Sequence, residues 1–372
     1  MPLFPVSAVG ACDAIRAEAT AIAGDNAAFN LGRINGMLDF VTNPLNDSGV
    51  EAVTVGQPSQ TVQTLRILYD QRTRPCQVST DPATNICNDT GTTVARKQAF
   101  VDIDKKITSP TRYFSVEDMA VLCGQKTDGN DARKQHTFIR QRLDNDLRAT
   151  RERFNEILLA EANVRVGRYY GSFGASGTGY RNVQLLDTNN TQQPDQGLPL
   201  NANFVDIQMD YQNMQFTGVP NLIGQGYLDK FIRLNEMSCC NSATPYEDAV
   251  AKSGMAYYFD QSANAVLGAN KFLVIPYGIF HLFTYNVNRA ININTELEAH
   301  TVVSDPVNPR IKWNLDFKWD CTTNRWKYAY SLHWTAWNVY QADSFSTDTG
   351  TPDCGDELYG VTGIFGYQAT VG

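Results

Sequence analysis

Four histidines, His136, His281, His300 and His333, are the side chains of this 372-residue chain best suited to carry a proton or bind a metal near neutral pH. None stands at the HExxH spacing that sets two imidazoles on one helical face around zinc. None adjoins a Cys, Asp or Glu in a nucleophile motif. His136 reads as a solvated helix residue and His281 as a core or interface histidine with its polar atoms satisfied. The eight cysteines, Cys12, Cys76, Cys87, Cys123, Cys239, Cys240, Cys321 and Cys354, contain no CxxC and no Cys/His cluster at metal-ligand spacing. Cys76 and Cys87 bracket the turn-rich QVSTDPATNI and could staple it in an oxidising setting, whereas reduced, partly buried thiols suit a cytoplasm. Adjacent Cys239 and Cys240 read as packing residues, because bonding to each other would strain them.

Phosphate and cation chemistry are equally thin. GSFGASGTG, at 171–179, lacks the Lys-Ser/Thr of a phosphate cradle and reads as a flexible loop. DGNDAR lacks the acidic spacing of a calcium loop. Carboxylates are plentiful, but no pair is marked out for acid–base work. The sequons at Asn46, Asn88 and Asn189 carry little without a secretory signal. No catalytic, cofactor-binding or metal residue is therefore assigned, and the chain is read as not an enzyme, with no cofactor.

The bulk numbers agree with a structural role. A net charge of -8 and a pI near 5.1 disfavour a basic nucleic-acid-gripping face. No window is apolar enough to span a membrane, and MPLFPVSAVGACDAIRAEA lacks a basic leader, so a soluble protein assembled in a cytoplasm is expected.

The elements that would position any site are easier to read. Residues 131–167 form the longest helical pattern, with Ile139, Leu143, Leu147, Phe154 and Leu158 at helical spacing and charges between them. At 1.5 Å per residue this is a rod of roughly 50 Å. Asp144 with Arg148 and Arg148 with Glu152 are four-residue pairs worth about 0.2–0.5 kcal/mol each on an exposed helix, so a mostly wet rod is expected. Residues 60–72 and 93–104 alternate as two strands around the Pro/Asn/Asp/Gly-rich 73–92, a projecting hairpin. SPTRYFSVEDMAVLCG (109–124) carries a helix capped by Ser115, and 203–218 a second helix with Phe204, Ile207, Tyr211 and Met214 on one face. The amphipathic CDAIRAEATAIAGDNAAFNLGRINGMLDFV suggests two short helices. VPNLIGQGYLDKFIRL, GMAYYFDQS and NAVLGANKFLVIPYGIFHLFTYN are strand-like, and KWNLDFKWD with RWKYAYSLHW reads as a hairpin turned by CTTN.

This order of parts resembles a tailed-bacteriophage major capsid protein with the Hong Kong 97 phage-type fold, shared with encapsulin shells. The resemblance implies an α+β chain divided into an N-terminal arm (1–48), an extended two-stranded loop (49–108), a peripheral domain (109–215) with its spine helix at 131–166, an axial domain (216–305), late peripheral strands (306–342) and a C-terminal segment (343–372). It implies self-assembly into hexamers and pentamers of an icosahedral head around double-stranded DNA. Neighbouring subunits would touch through the arm and the extended loop. Portal, scaffolding or decoration proteins would be further partners, and no membrane is involved. Lys97, in the hairpin, is a candidate for an isopeptide cross-link by location only, and any scaffold would be a separate protein.

A ribbon alone is marginal in water, and a long exposed helix is costly unless neighbours cover it. An acidic wall repels a packaged genome instead of adsorbing it. The other readings are an encapsulin-like compartment or other virion component, and a polysaccharide-active enzyme in which Trp313, Trp319, Trp326, Trp334 and Trp337 line a groove. Cross-strand packing is the usual reason for such a tryptophan cluster.

Overall fold

The computed structural model describes residues 34–47, 50–55, 63–69, 97–114, 129–170, 176–187, 198–199, 201–214, 216, 219–238, 255–286, 298–305, 307–323, 325–340 and 362–371, for some of which, 129–140 among them, only the backbone is described. Most of the arm, the ribbon tip with Cys76 and Cys87, the helix expected after Ser115, and Asn88 and Asn189 lie outside these residues. So do the side chains of His136 and Ile139.

Helix α1 (Gly36–Val41) is followed by strands β1 (Val50–Thr54), β2 (Gln63–Tyr69) and β3 (Lys97–Ile103), an antiparallel sheet in that order. The expected pair of strands is there, and β1 adds a third to its edge. Strands β4 (Lys105–Thr108) and β5 (Arg112–Phe114) lead to helix α2 (Gly129–Val164), 36 residues or about 54 Å. Then come β6 (Arg168–Tyr170) and β7 (Ser176–Thr178), paired with each other where a loop was expected, followed by β8 (Tyr180–Asp187), β9 (Leu198–Pro199) and helix α3 (Asn201–Asn213).

Strand β10 (Pro220–Gly224) is followed by helix α4 (Tyr227–Ser238), not by more strand. Gly226, at φ +77°, makes the turn between them, and the Asp229–Arg233 pair at 2.8 Å spans one helical turn. Strand β11 (Ala256–Phe259), the short helix α5 (Ala263–Val266), β12 (Lys271–Pro276), β13 (Phe280–Tyr285), β14 (Glu298–Ser304), β15 (Lys312–Asp320), β16 (Arg325–Asn338) and β17 (Phe365–Val371) complete the order. Among the described residues these strands make two six-stranded sheets. One runs β11-β10-β12-β17-β8-β9, with β10/β11 and β17/β8 parallel. The other runs β13-β16-β15-β14, with β4 and β5 also on β16. The hairpin turned at CTTN is its centre. Strands β13 and β14, from the 216–305 region, thus share a sheet with the strands of 306–342, and β17 joins the other sheet from the C-terminal segment.

Helix α2 is not a wet rod. From Leu143 onward it is the hub between α1, α5 and the β16 sheet, with Leu143, Leu147, Phe154, Leu158, Leu159 and Ala162 buried. The expectation failed because polar residues on this arc are also buried and partnered from far along the chain. Asp146 accepts from the Tyr328 hydroxyl at 2.6 Å and from Arg112 at 3.1 Å. Arg151 faces Asp305 at 3.5 Å, and Asp305 also accepts from the Trp313 indole at 3.0 Å. The Asp144–Arg148 pair forms at 2.6 Å, but in the interior, where burial pushes the Asp144 carboxyl above the usual range despite Arg148. Mixed charge along a helix indicates solvent only when no partner lies opposite.

The tightest of these junctions seats α1. The fully buried Asp260 accepts from the Met37 amide (2.9 Å), Asn155 Nδ2 (2.9 Å) and the Ser262 amide (2.8 Å). Asn155 Oδ1 in turn accepts from the Leu38 amide at 2.9 Å. Two orphan amides at the start of α1 are thereby satisfied by side chains of α2 and of the residue after β11. Gly36 is needed for this approach, because a Cβ there would lie 2.6 Å from the Phe259 carbonyl oxygen. In Asp260→Asn one amide group must turn a donor toward these donors. The expected cost is about 1–3 kcal/mol, read as a lower urea midpoint with an unchanged slope.

Candidate assembly surface

In the three-stranded sheet, residues alternate between two unlike environments. Leu65, Ile67 and Ile103 point inward and pack on Trp337 and Val339, with Tyr69 set edge-on to the Trp337 indole at 5.2 Å. This face closes over the outer side of β16, whose opposite side carries Trp326, Tyr328, Tyr330 and Trp334 into the main core. The ribbon's base is thus anchored on its own molecule and does not project freely along its whole length.

The other face is open. Val53, Arg66 and Phe100 stand directly opposite one another across β1, β2 and β3. Phe100 is 61% exposed and Val53 38%. Beside them, Thr64 donates to Asp102 at 2.6 Å, and Val55 is a further exposed apolar residue. Strand β1 pairs only with β2 among the described residues, so it is the edge of the described sheet. A cation between two exposed apolar side chains on one face of the ribbon suits contact with another protein surface. Helix α3 carries a smaller patch, Val205 and Met209, one turn apart and exposed.

The row was legible in KQAFVDI: with Ala99, Val101 and Ile103 facing in, Phe100 must face out, and an aromatic on the polar side of a strand is the signal. The residues singled out for chemistry lie elsewhere. Lys97 opens β3 opposite Tyr69. His281 is buried against the ribbon's support, and His300 pairs with Asp316 across β14 and β15 at 2.6 Å. Cys321 is exposed in the CTTN turn. Asn46 is buried, donates to the Phe280 carbonyl at 2.7 Å and accepts from the Gly278 amide at 3.0 Å, so it is no glycan acceptor in the folded chain. Trp313, Trp326, Trp334 and Trp337 are core residues, with Trp319 half-buried edge-on to Trp326. They line no groove, which removes the basis for the polysaccharide reading. Among the described residues no group of three or more His, Cys, Asp or Glu could hold a metal, and no helix is long and apolar enough to cross a membrane.

Fold and surface together define an α+β chain whose distinctive feature is a face suited to other chains. No family model and no curated protein matches it. Among solved structures the chain is similar to one from Mycobacterium phage Che8, at 7% identity over 85% of this chain and 92% of that one, TM-score 0.34. It is likewise similar to a chain of the capsid structure of the cyanophage P-SCSP1u (9% identity, 87% and 90% covered, TM-score 0.38). A third similarity is to a chain of the satellite phage P4 procapsid that includes the size determination protein (9% identity, 82% and 90% covered, TM-score 0.30).

Proposed function

We propose that this chain is a major capsid protein that self-assembles into the icosahedral head of a tailed bacteriophage and encloses its double-stranded DNA. The observation that carries this reading is the exposed Val53–Arg66–Phe100 row on a ribbon rooted in its own sheet. The root fixes the ribbon's direction, and the open face is then presented at a set angle to whatever lies beside the chain. In a closed shell every copy receives such a face from one neighbour and offers its own to another. The order of arm, extended loop at 49–108, spine helix in 109–215, axial segment at 216–305 and late strands at 306–342 supports the same reading. Hexamers and pentamers would be the repeating units, with portal, scaffolding or decoration proteins as further partners. The net charge of -8 suits a wall that touches DNA without adsorbing it.

Negative-stain microscopy with sedimentation of the purified full chain tests this. Uniform closed particles hundreds of ångströms across are expected, alone or on co-expression with a scaffold. A chain that stays monomeric at every concentration in both settings overturns the reading.

A further inference from the structure

We propose that His281 is an acid-operated catch, holding the β1–β3 ribbon on the β16 sheet at neutral pH and releasing it when the imidazole is protonated. The inference rests on the ribbon being an assembly element, whose regulation it names.

The catch is a matter of position. His281 lies on β13 directly opposite Trp337 of β16, on the side of the sheet that the ribbon covers. Its ring is nearly parallel to Phe283 (centroids 6.1 Å apart) and lies 6.2 Å from Trp337. Trp337 is the residue that takes Tyr69 and the ribbon's Leu65, Ile67 and Ile103. One imidazole nitrogen is hydrogen-bonded to the Gly278 backbone, and Nε2 is buried with no hydrogen-bond partner among the described residues.

A second proton would place an N–H and a charge where the described residues offer no acceptor. The carboxylate acting on the site is Asp47, which is exposed and already paired with Arg310 at 2.6 Å. The titratable groups nearest in register on this side of the sheet are His333 of β16, Tyr285 of β13, Lys106 of β4 opposite His333, and Tyr69 from the ribbon. The carboxylates on this side, Glu298, Asp316 and Asp320, stand on β14 and β15 in register with Ala329 and earlier residues of β16, eight or more positions from Trp337, and Asp316 is taken by His300. The inward side chains of β2 and β3 that pack on Trp337, Leu65, Ile67 and Ile103, are uncharged. Burial holds the His281 imidazole below its ordinary value, so the folded chain takes up this proton later than the unfolded one. The stabilisation is therefore complete above about pH 6.5 and declines as pH falls below it. The cheapest response of the chain is to part the seam at Trp337, because the opposite side of the sheet is locked to α2.

Amide hydrogen exchange of the unassembled full chain, corrected for intrinsic rates, reads the catch directly. Between pH 7.5 and 5.5 the protection of 63–69 and 97–103 should fall by up to about tenfold per pH unit, while 150–160 in α2 stays protected. His281→Phe should make the ribbon's protection independent of pH, and His333→Gln should leave the fall in place. A wild-type ribbon protected equally at both pH values overturns the proposal, as does an undiminished fall in His281→Phe. If that variant does not fold, the imidazole titration in the native chain decides, since ionisation at or above pH 6.5 with the ribbon still protected also overturns it. Exchange is measured without particles, so this result and the microscopy of assembly fail independently.

Discussion

Phe154→Ala should cost this chain about 3–5 kcal/mol of stability, the upper range for removing a buried aromatic. Phe154 is fully buried on α2 and meets two indoles edge-on, Trp313 at 6.0 Å and Trp334 at 5.2 Å. Neither can move in to fill the space. Trp313 is held by its hydrogen bond to Asp305, and Trp334 lies in β16 with the Lys105 ammonium 5.1 Å above its ring. A cavity that cannot collapse puts the cost at the high end. Phe154→Leu should recover most of the loss. Val164→Ala, at an 84% exposed site on the same helix, should stay within about 0.5 kcal/mol. Urea unfolding of the three variants gives the ranking, and similar midpoints for the two alanine variants would refute the central place given to α2.

How far these features could be read in advance depended on whether the cause lay nearby in the chain. The ribbon strands were legible because Leu65, Ile67 and Tyr69, and Ala99, Val101 and Ile103, recur at every second position within seven residues, with Thr64, Arg66, Gln98 and Asp102 among the alternate residues. Helix α2 was legible for the same local reason, but its burial was not, since Asn155 finds Asp260 105 residues away and Leu38 117 residues away. Helix α4 was taken for strand because Tyr227, Leu228, Phe231 and Ile232 have the composition of a strand. Burial of Leu228, Phe231 and Ile232 at helical spacing, with Asp229 and Arg233 one turn apart, settles it. Strand β17 went unread because its place between β12 and β8 depends on parallel pairing with a segment far earlier in the chain, which leaves no local trace. The tryptophan cluster was legible as packing, but not which faces it served. Even-numbered positions of β16 from Trp326 to Ala336 enter the main core and Trp337 packs under the ribbon, so Trp334 and Trp337 belong to different interfaces.

Phe100→Asp combined with Val53→Ser should abolish particles while leaving the folded monomer intact, and this pair separates assembly from folding. Both side chains are exposed in the isolated chain, so their loss removes little buried area there. The new carboxylate would stand directly opposite Arg66, a cross-strand pairing of opposite charge that supports the ribbon, and the melting midpoint should move by less than about 0.5 kcal/mol equivalent. Against a neighbour the same carboxylate must be stripped of water beneath an apolar surface, where an aromatic anchor had been. Loss of such an anchor costs about 2 kcal/mol or more, roughly thirtyfold per contact, and a shell repeats the loss at every copy. Sedimentation velocity beside a thermal melt is the measurement. Phe100→Leu should still yield particles, because an uncharged side chain keeps the contact. Particles from the double variant at normal yield would mean that this row faces solvent in the assembly, and the container reading would lose the observation that carries it.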